Sequence, residues 1–192
     1  GSFSITVAAS NAGGTGMQVV DVTVSKAGQA ITFDAQAGQA YSPGGTFPLS
    51  PTASASSGLA VSYSSLTPAV CTIASLTVTI VSAGTCTIAA NQAGNTNYSA
   101  ALQVTQGINI SATVPGAPTI GAATAGDTTA SISFTAPANN GGSPITGYTA
   151  ACTPGPVGAG GLASPLTVTG LVNATVYTCA VRATNAAGNS AF

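Results

Sequence analysis

Three segments of this sequence repeat one pattern, a strand of alternating apolar and polar residues that turns at Asn-x-Ala-Gly or a close variant. The segments are FSITVAASNAGGTGMQVVDVTVS (3–25), CTIAANQAGNTNYSAALQVTQGINI (86–110) and YTCAVRATNAAGNSAF (177–192). A period of two residues is typical of a strand with one buried face, and Asn and Gly supply the positive φ angles of a hairpin turn. The repetition therefore predicts a β-hairpin at three places in the chain.

The three segments differ after the turn. The first continues as QVVDVTVS and the second as LQVTQGINI, whereas the third stops at Phe192. We therefore expect the last domain to lack its final strand. The first hairpin begins inside a strand and has no domain in front of it, so we also expect that an upstream piece of the polypeptide has been removed or left out.

Between the hairpins lie short strand-like stretches separated by Gly, Pro and Ser, without helical periodicity. Such spacing indicates β-sandwiches, and Pro115 and Pro118 mark a short stiff linker between two of them. We expect an all-β chain with three parts. They are an N-terminal hairpin (1–26), which is a remnant of a preceding module or a donor strand, a first sandwich (27–112) and a second sandwich (113–192).

Charged residues are nearly absent, with two cations, three anions and no His among 192 residues. General acid–base catalysis and most zinc sites depend on His, so the sequence predicts no enzyme, no cofactor and no metal site. Two cations are too few to neutralise nucleic-acid phosphates or an anionic membrane surface. No run of eighteen apolar residues is present, so we also expect no membrane insertion.

Four cysteines fall into two close pairs, Cys71 with Cys86 and Cys152 with Cys179, inside strand-like surroundings. A metal site is disfavoured because no Cys-x-x-Cys motif or His accompanies them. The sequence therefore predicts two disulfides and an oxidising compartment. Four cysteines allow three connectivities, so the residues by themselves leave the pairing open.

The stretch VPGAPTI…ASISFTAPANNGGSPITGYTAACTPG…SPLTVTGLVNATVYTCAVRATNAAGNSA resembles a bacterial fibronectin type III domain over nearly its whole length. Its most specific part is Leu171, followed six residues later by Tyr177, which is similar to the tyrosine corner that locks the crossing between two sheets. Phe134 stands where such domains often have a core Trp, and Tyr148 matches the aromatic residue of the third strand.

Two features depart from that family pattern. The final strand is missing, and Cys152 and Cys179 occupy positions that are usually apolar or Thr. The resemblance places these two cysteines on neighbouring strands and so implies a disulfide between them.

The stretch QAITF…VCTIASLTVTIVSAGTCTIAANQAGNTNYSAALQVTQGINI resembles an immunoglobulin-like repeat found in tandem in very long secreted or surface proteins of Gram-negative bacteria. The pair in VCTI and GTCTI belongs to that pattern and implies a Cys71–Cys86 disulfide. The resemblance also implies an extracellular or cell-surface location and often adhesion, but it implies no ligand.

The sequence supports two functional hypotheses. The first is a structural subunit of an extracellular filament or surface stalk, with copies of itself or adjoining repeats of one polypeptide as partners. The second is an adhesive or carbohydrate- or surface-binding spacer module of a large secreted protein.

For the first function, we expect a strand near the N-terminus of one subunit to complete the C-terminal sandwich of the next by β-strand addition. The preferred donor is the segment 18–25, with Val20, Val22 and Val24 on its apolar face. The alternative donor is the segment 3–9, which presents Phe3, Ile5 and Val7.

Overall fold

The described part of the chain folds into β-strands, turns and loops. The computed structural model describes residues 2–192, and the side chains of residues 2–4, 9–11, 18 and 20 lie outside that description. All regular elements in this range are strands, which confirms the all-β prediction. No helix in the same range is long and apolar enough to cross a membrane.

The first two strands form a hairpin. Strand β1 (Ser2–Asn11) pairs antiparallel with β2 (Gly14–Thr23) along its whole length. The register places Ile5 opposite Val20 and Phe3 opposite Val22, and residues that face each other across an antiparallel pair lie on the same face of the sheet. The predicted apolar positions of both strands therefore share one face of the hairpin.

The middle of the chain contains nine strands. They are β3 (Ile31–Thr32), β4 (Gln39–Ala40), β5 (Thr46–Pro48), β6 (Ser54–Ala55), β7 (Ser62–Ser65), β8 (Cys71–Ala74), β9 (Thr77–Ile80), β10 (Gly84–Asn91) and β11 (Val104–Ser111). Their sheets have the orders β4-β11-β10-β7, β5-β9-β8 and β3-β6. The alternation predicted for the segment 86–110 puts Cys86, Ile88 and Ala90 on one face of β10, and all three are fully buried.

The C-terminal part contains seven strands in two sheets. The strands are β12 (Thr119–Gly126), β13 (Thr129–Thr135), β14 (Gly147–Thr153), β15 (Val157–Gly161), β16 (Leu166–Thr169), β17 (Thr178–Asn185) and β18 (Gly188–Asn189). One sheet has the order β12-β13-β16 and the other β15-β14-β17-β18. Their apolar faces contribute to one core cluster, which makes this part a β-sandwich.

Two aromatic rings at the predicted positions help to fill this core. Phe134 on β13 and Tyr148 on β14 are both buried, and their ring centroids lie 4.6 Å apart in a tilted arrangement. Such tilted pairs contribute beyond simple area burial. The sequence predicts that the final strand of this domain is missing. After β17 the structure has the two-residue strand β18, whose Gly188 and Asn189 pair with β17.

Residue contacts divide the chain into two compact units. One consists of the residues up to Phe33 with 53–62 and 90–104, and the other of 34–52, 63–89 and 105–192. These units follow contact in space rather than sequence order. The division into a hairpin (1–26) and two sandwiches (27–112 and 113–192) therefore stays a prediction.

The structure contains the two disulfides expected from the sequence. Cys71–Cys86 connects β8 to β10, which belong to different sheets, with the Cα atoms 5.5 Å apart. Cys152–Cys179 connects the adjacent strands β14 and β17, where the two residues are directly paired. Each bridge therefore closes a loop within one region of the chain.

Removing the second bridge tests its contribution. A Cys152→Ala/Cys179→Ala variant releases a loop with a sequence separation of 27 residues, and we expect the free energy of local unfolding to fall by about 3 kcal/mol. Amide hydrogen exchange of peptides from β14 and β17 measures this loss. The Cys71→Ala/Cys86→Ala variant, which lacks the other bridge, is the comparison. If removal of Cys152–Cys179 leaves exchange in β14 and β17 unchanged, the predicted contribution of this bridge is contradicted.

Candidate strand-acceptor edge of the C-terminal sandwich

The two edges of β17 are paired to very different extents. On one side, β14 pairs with it from Thr178 to Thr184. On the other side, β18 pairs with Thr184 and Asn185 alone. Among residues 2–192, no other strand lies along this second edge in the sheet.

The hydrogen bonds show which backbone groups point to this open edge. The Thr146 N–H donates to the Thr184 carbonyl (2.7 Å), so Thr184 faces β14, whereas the Ala183 carbonyl accepts from the Ser190 N–H (2.8 Å) on the opposite side. The direction of the backbone groups alternates along an antiparallel strand. The N–H and C=O groups of Val181 and Cys179 therefore point toward the open edge.

Strand β12, at the edge of the facing sheet, has an inward side that remains exposed. All eight of its residues are exposed, although its register with β13 places Ala123 opposite the buried Ile132. Ile120 lies opposite Phe134 and is 44% exposed, whereas Phe134 is 8% exposed. Because paired residues share a face, the apolar side chains of β12 point to the core side of the sheet. They remain exposed there, whereas their partners on β13 are buried.

A groove of about 250 Å³ lies between β12 and β17. Its wall is formed by β12, β13, the loop before β17, and Cys179 of β17 itself. Small side chains, Ala123, Ala125 and Ala130, line one part, and the larger Ile132 and Leu171 line another. Polar residues, among them Thr124, Thr129 and Asn173, complete the lining. A groove that contains apolar side chains beside an unpaired strand edge has the two features that β-strand addition uses, backbone hydrogen bonds and pockets for alternate side chains.

The predicted tyrosine corner forms one end of this groove. The Tyr177 hydroxyl accepts a hydrogen bond from the Val172 N–H at 3.2 Å, five residues upstream, and Leu171 is buried beside it. Leu171 also donates its N–H to the Thr128 carbonyl at 3.0 Å, which ties the corner to the turn between β12 and β13. The corner thus holds the two sheets together next to the open edge.

Asn173 adds side-chain hydrogen bonds to this corner that the sequence did not predict. Its side-chain oxygen accepts from the Thr128 N–H (3.0 Å), and its amide nitrogen donates to a carboxylate oxygen of Asp127 (2.8 Å). Asp127 and Asn173 are 46 residues apart in sequence. No local pattern links them, so a sequence-based search had no signal for this contact.

The candidate donor hairpin exposes apolar side chains. Ile5 and Val7 of β1 are about half exposed, at 51% and 55%, and Val22 of β2 is 37% exposed. Val24, just beyond β2, is also exposed. The side chains of Phe3 and Val20 lie outside the described part of the structure.

The structure brings together some of the predicted site residues. Leu171, Tyr177 and Cys179 all line the groove, and Cys152 is buried behind Cys179 as its disulfide partner. Cys71 and Cys86 lie in the middle region and take no part in the groove. The pairing of donor and acceptor stays a prediction.

Two facing sheets, a tyrosine corner and alternating buried residues define the C-terminal part as a β-sandwich of the immunoglobulin or fibronectin type III kind. Residues 116–192 match the family model described as fibronectin type III domain. A solved structure, domains A168–A170 from titin, is similar to the chain at 19% sequence identity and a TM-score of 0.39, covering 97% of this chain and 70% of that chain. No match was found among curated proteins.

Two disulfides and a fibronectin type III match fit an extracellular location. Modules of this fold serve as structural or binding units. The bacterial origin and the immunoglobulin-like repeat expected for the middle segment stay predictions.

A Tyr177→Phe substitution tests the corner. It keeps the ring and removes the acceptor of the Val172 N–H, so we expect the C-terminal sandwich to lose about 1 kcal/mol of unfolding free energy. Urea unfolding followed by tyrosine fluorescence measures the loss. Tyr148→Phe removes a hydroxyl from the same sandwich away from the corner, and an equal effect of both variants would argue against a special role for Tyr177.

Proposed function

We propose that this chain is a structural module of an extracellular filament or surface stalk, in which an added β-strand completes the C-terminal sandwich. The observation that carries this proposal is the combination of the open β17 edge with the exposed inward side of β12. The two features border the same groove. One extended strand placed there would pair with the edge and cover the apolar side chains at the same time.

The proposed donor is the segment 18–25 of another module, with the segment 3–9 as the alternative. Val20, Val22 and Val24 alternate with polar or outward residues, as a strand with one buried face requires. Small alanines in the groove leave room for branched side chains. Burying an aliphatic side chain fully contributes about 1.5–3 kcal/mol, so the exposed Val22 and Val24 would each gain a part of that value in the groove.

The low charge of the chain supports self-association. Natural edge strands are commonly protected against pairing by Lys and other charged side chains. This chain has two cations and three anions in 192 residues, so copies meet little electrostatic repulsion. The contact joins two different surfaces, and such a heterologous contact propagates into a filament unless its geometry closes a ring.

Substitution of the donor face tests the proposal. Val22→Lys places a charge on the side predicted to be buried, and we expect it to reduce assembly at least about tenfold, because an uncompensated buried charge is strongly unfavourable. Light scattering and negative-stain electron microscopy measure assembly. Val19→Lys is the matched control, since Val19 lies on the opposite face of the same strand and is 61% exposed.

A reciprocal variant tests the acceptor. Ala123→Glu introduces a charge into the groove and should block assembly, whereas Thr167→Glu on an exposed site of β16 should leave it unchanged. Normal filaments from both the Val22→Lys and the Ala123→Glu variants would show that the proposed contact is wrong.

The donor strand comes either from another chain or from the adjoining repeat of the same polypeptide, and a comparison of the single chain with two copies joined in one polypeptide distinguishes these two sources. If the strand comes from another chain, the 192-residue chain forms oligomers whose size increases with concentration. If it comes from the adjoining repeat, the single chain stays monomeric, but a head-to-tail dimer on one polypeptide stabilises its internal sandwich. Strand addition is contradicted if neither behaviour is observed.

A further inference from the structure

A loop of the C-terminal sandwich contacts residues of the middle region. The loop Asn139–Gly142 connects β13 and β14, and the Gly142 carbonyl accepts a hydrogen bond from the N–H of Ala83, which lies between β9 and β10 (3.2 Å). The Gly141 carbonyl accepts from the Thr113 N–H (2.9 Å) in the segment that connects β11 to β12. These residues belong to the same compact unit.

Asn185 adds side-chain hydrogen bonds to the same place. It is one of two buried polar residues of the described part, with 4% of its surface exposed. Its amide nitrogen donates to the carbonyls of Thr113 and Asn140, at 2.8 Å each. Its amide oxygen accepts from the N–H groups of Ala187 (2.8 Å), in the turn before β18, and of Gly188 (3.1 Å), the first residue of β18. One side chain therefore joins the connecting segment, the loop and the turn.

The close approach at this place requires glycine. A Cβ atom on Gly142 would lie 2.5 Å from Cγ of Tyr41 and 2.9 Å from the Ala83 nitrogen. A Cβ atom on Gly141 would overlap the Thr113 carbonyl oxygen. Tyr41 is itself anchored, because its N–H donates to the Ser111 carbonyl at the end of β11 (2.8 Å). The Tyr41 side of the contact is therefore fixed to the end of a strand.

We propose that these residues form a rigid joint, which holds the C-terminal sandwich in one orientation relative to the strands β9–β11 before it. The joint consists of Tyr41, Ala83, Thr113, the loop Asn139–Gly142 and Asn185. Relative motion is the default for tandem domains that share only a small contact. A connecting segment whose N–H and C=O groups are both bonded at Thr113 lacks the freedom of a flexible linker.

The segment that precedes β3 forms similar hydrogen bonds within the middle region. The Ala27 N–H donates to the Asn97 carbonyl (2.8 Å), and the Ser99 N–H donates to the Ala27 carbonyl (2.9 Å). Asn97 and Ser99 belong to the connection between β10 and β11, which begins with the same type of Asn-x-Ala-Gly sequence as the turn after β17. In both regions the hairpin turn therefore binds the segment that enters the sandwich.

This inference goes beyond the proposed function, because the joint lies within one chain and does not depend on strand addition. Its consequence is mechanical. An array of sandwiches with such joints behaves as a stiff rod instead of a flexible string of domains. The joint can fail while strand addition holds, and strand addition can fail while the joint holds.

Distance measurements between two spin labels test the joint. Thr77 on β9 and Thr167 on β16 are exposed and belong to the same compact unit, so Thr77→Cys and Thr167→Cys provide labelling sites in the full chain with its disulfides closed. We expect one narrow distance distribution by electron paramagnetic resonance. Asn185→Asp keeps the side-chain oxygen that accepts from the Ala187 N–H and loses the amide group that donates to the carbonyls of Thr113 and Asn140. We expect this variant to broaden the distance distribution at least about twofold.

A glycine pair provides the matched control. Gly142→Ala introduces the clash with Tyr41 and should also broaden the distribution, whereas Gly170→Ala has the same backbone strain (φ +77° against +76°) with ordinary packing around the new Cβ. Gly170→Ala should leave the distribution narrow. A broad distribution in the unsubstituted chain, or equal widths in all four chains, would overturn the proposal. The first of these outcomes needs no variant, so it is decisive even if a substitution prevents folding.

Discussion

Backbone hydrogen bonding at strand edges is the constraint on which the rest of this structure depends. The N–H and C=O groups of an unpaired edge form hydrogen bonds either with water or with another strand. Charged side chains commonly prevent such an edge from pairing with another chain, and this chain has few charged residues. In the C-terminal sandwich, the edge of β17 at Cys179 and the exposed inner side of β12 meet at one groove. The tyrosine corner and the Cys152–Cys179 disulfide stabilise the sandwich beside that groove even though the edge is open.

The sequence was sufficient for features that depend on local pattern. Alternation along β10 predicted the buried face of Cys86, Ile88 and Ala90, because a strand repeats every two residues. The resemblance to a fibronectin type III domain implied the corner at Leu171 and Tyr177, and both ends of its hydrogen bond lie within one short loop. These contacts need no knowledge of distant residues.

Other features were not predictable because they join distant parts of the chain. Alternation in β12 gives no indication that its inner side is exposed, since exposure depends on which strand lies opposite. Asn185 was visible as a turn residue, but its bond to Thr113 spans 72 positions. Gly142 belongs to an ordinary-looking Asn-Asn-Gly-Gly turn, and only the position of Tyr41 shows why a side chain would not fit there.

The central claim is that the open edge of β17 accepts a strand, and amide hydrogen exchange at Cys179 and Val181 tests it most directly. Both N–H groups point to that edge, so an added strand would bond to them. We predict that exchange at these two amides slows at least about tenfold when the chains assemble, and that the Val22→Lys variant does not show this change. Equal exchange rates in assembled and monomeric protein would contradict the account.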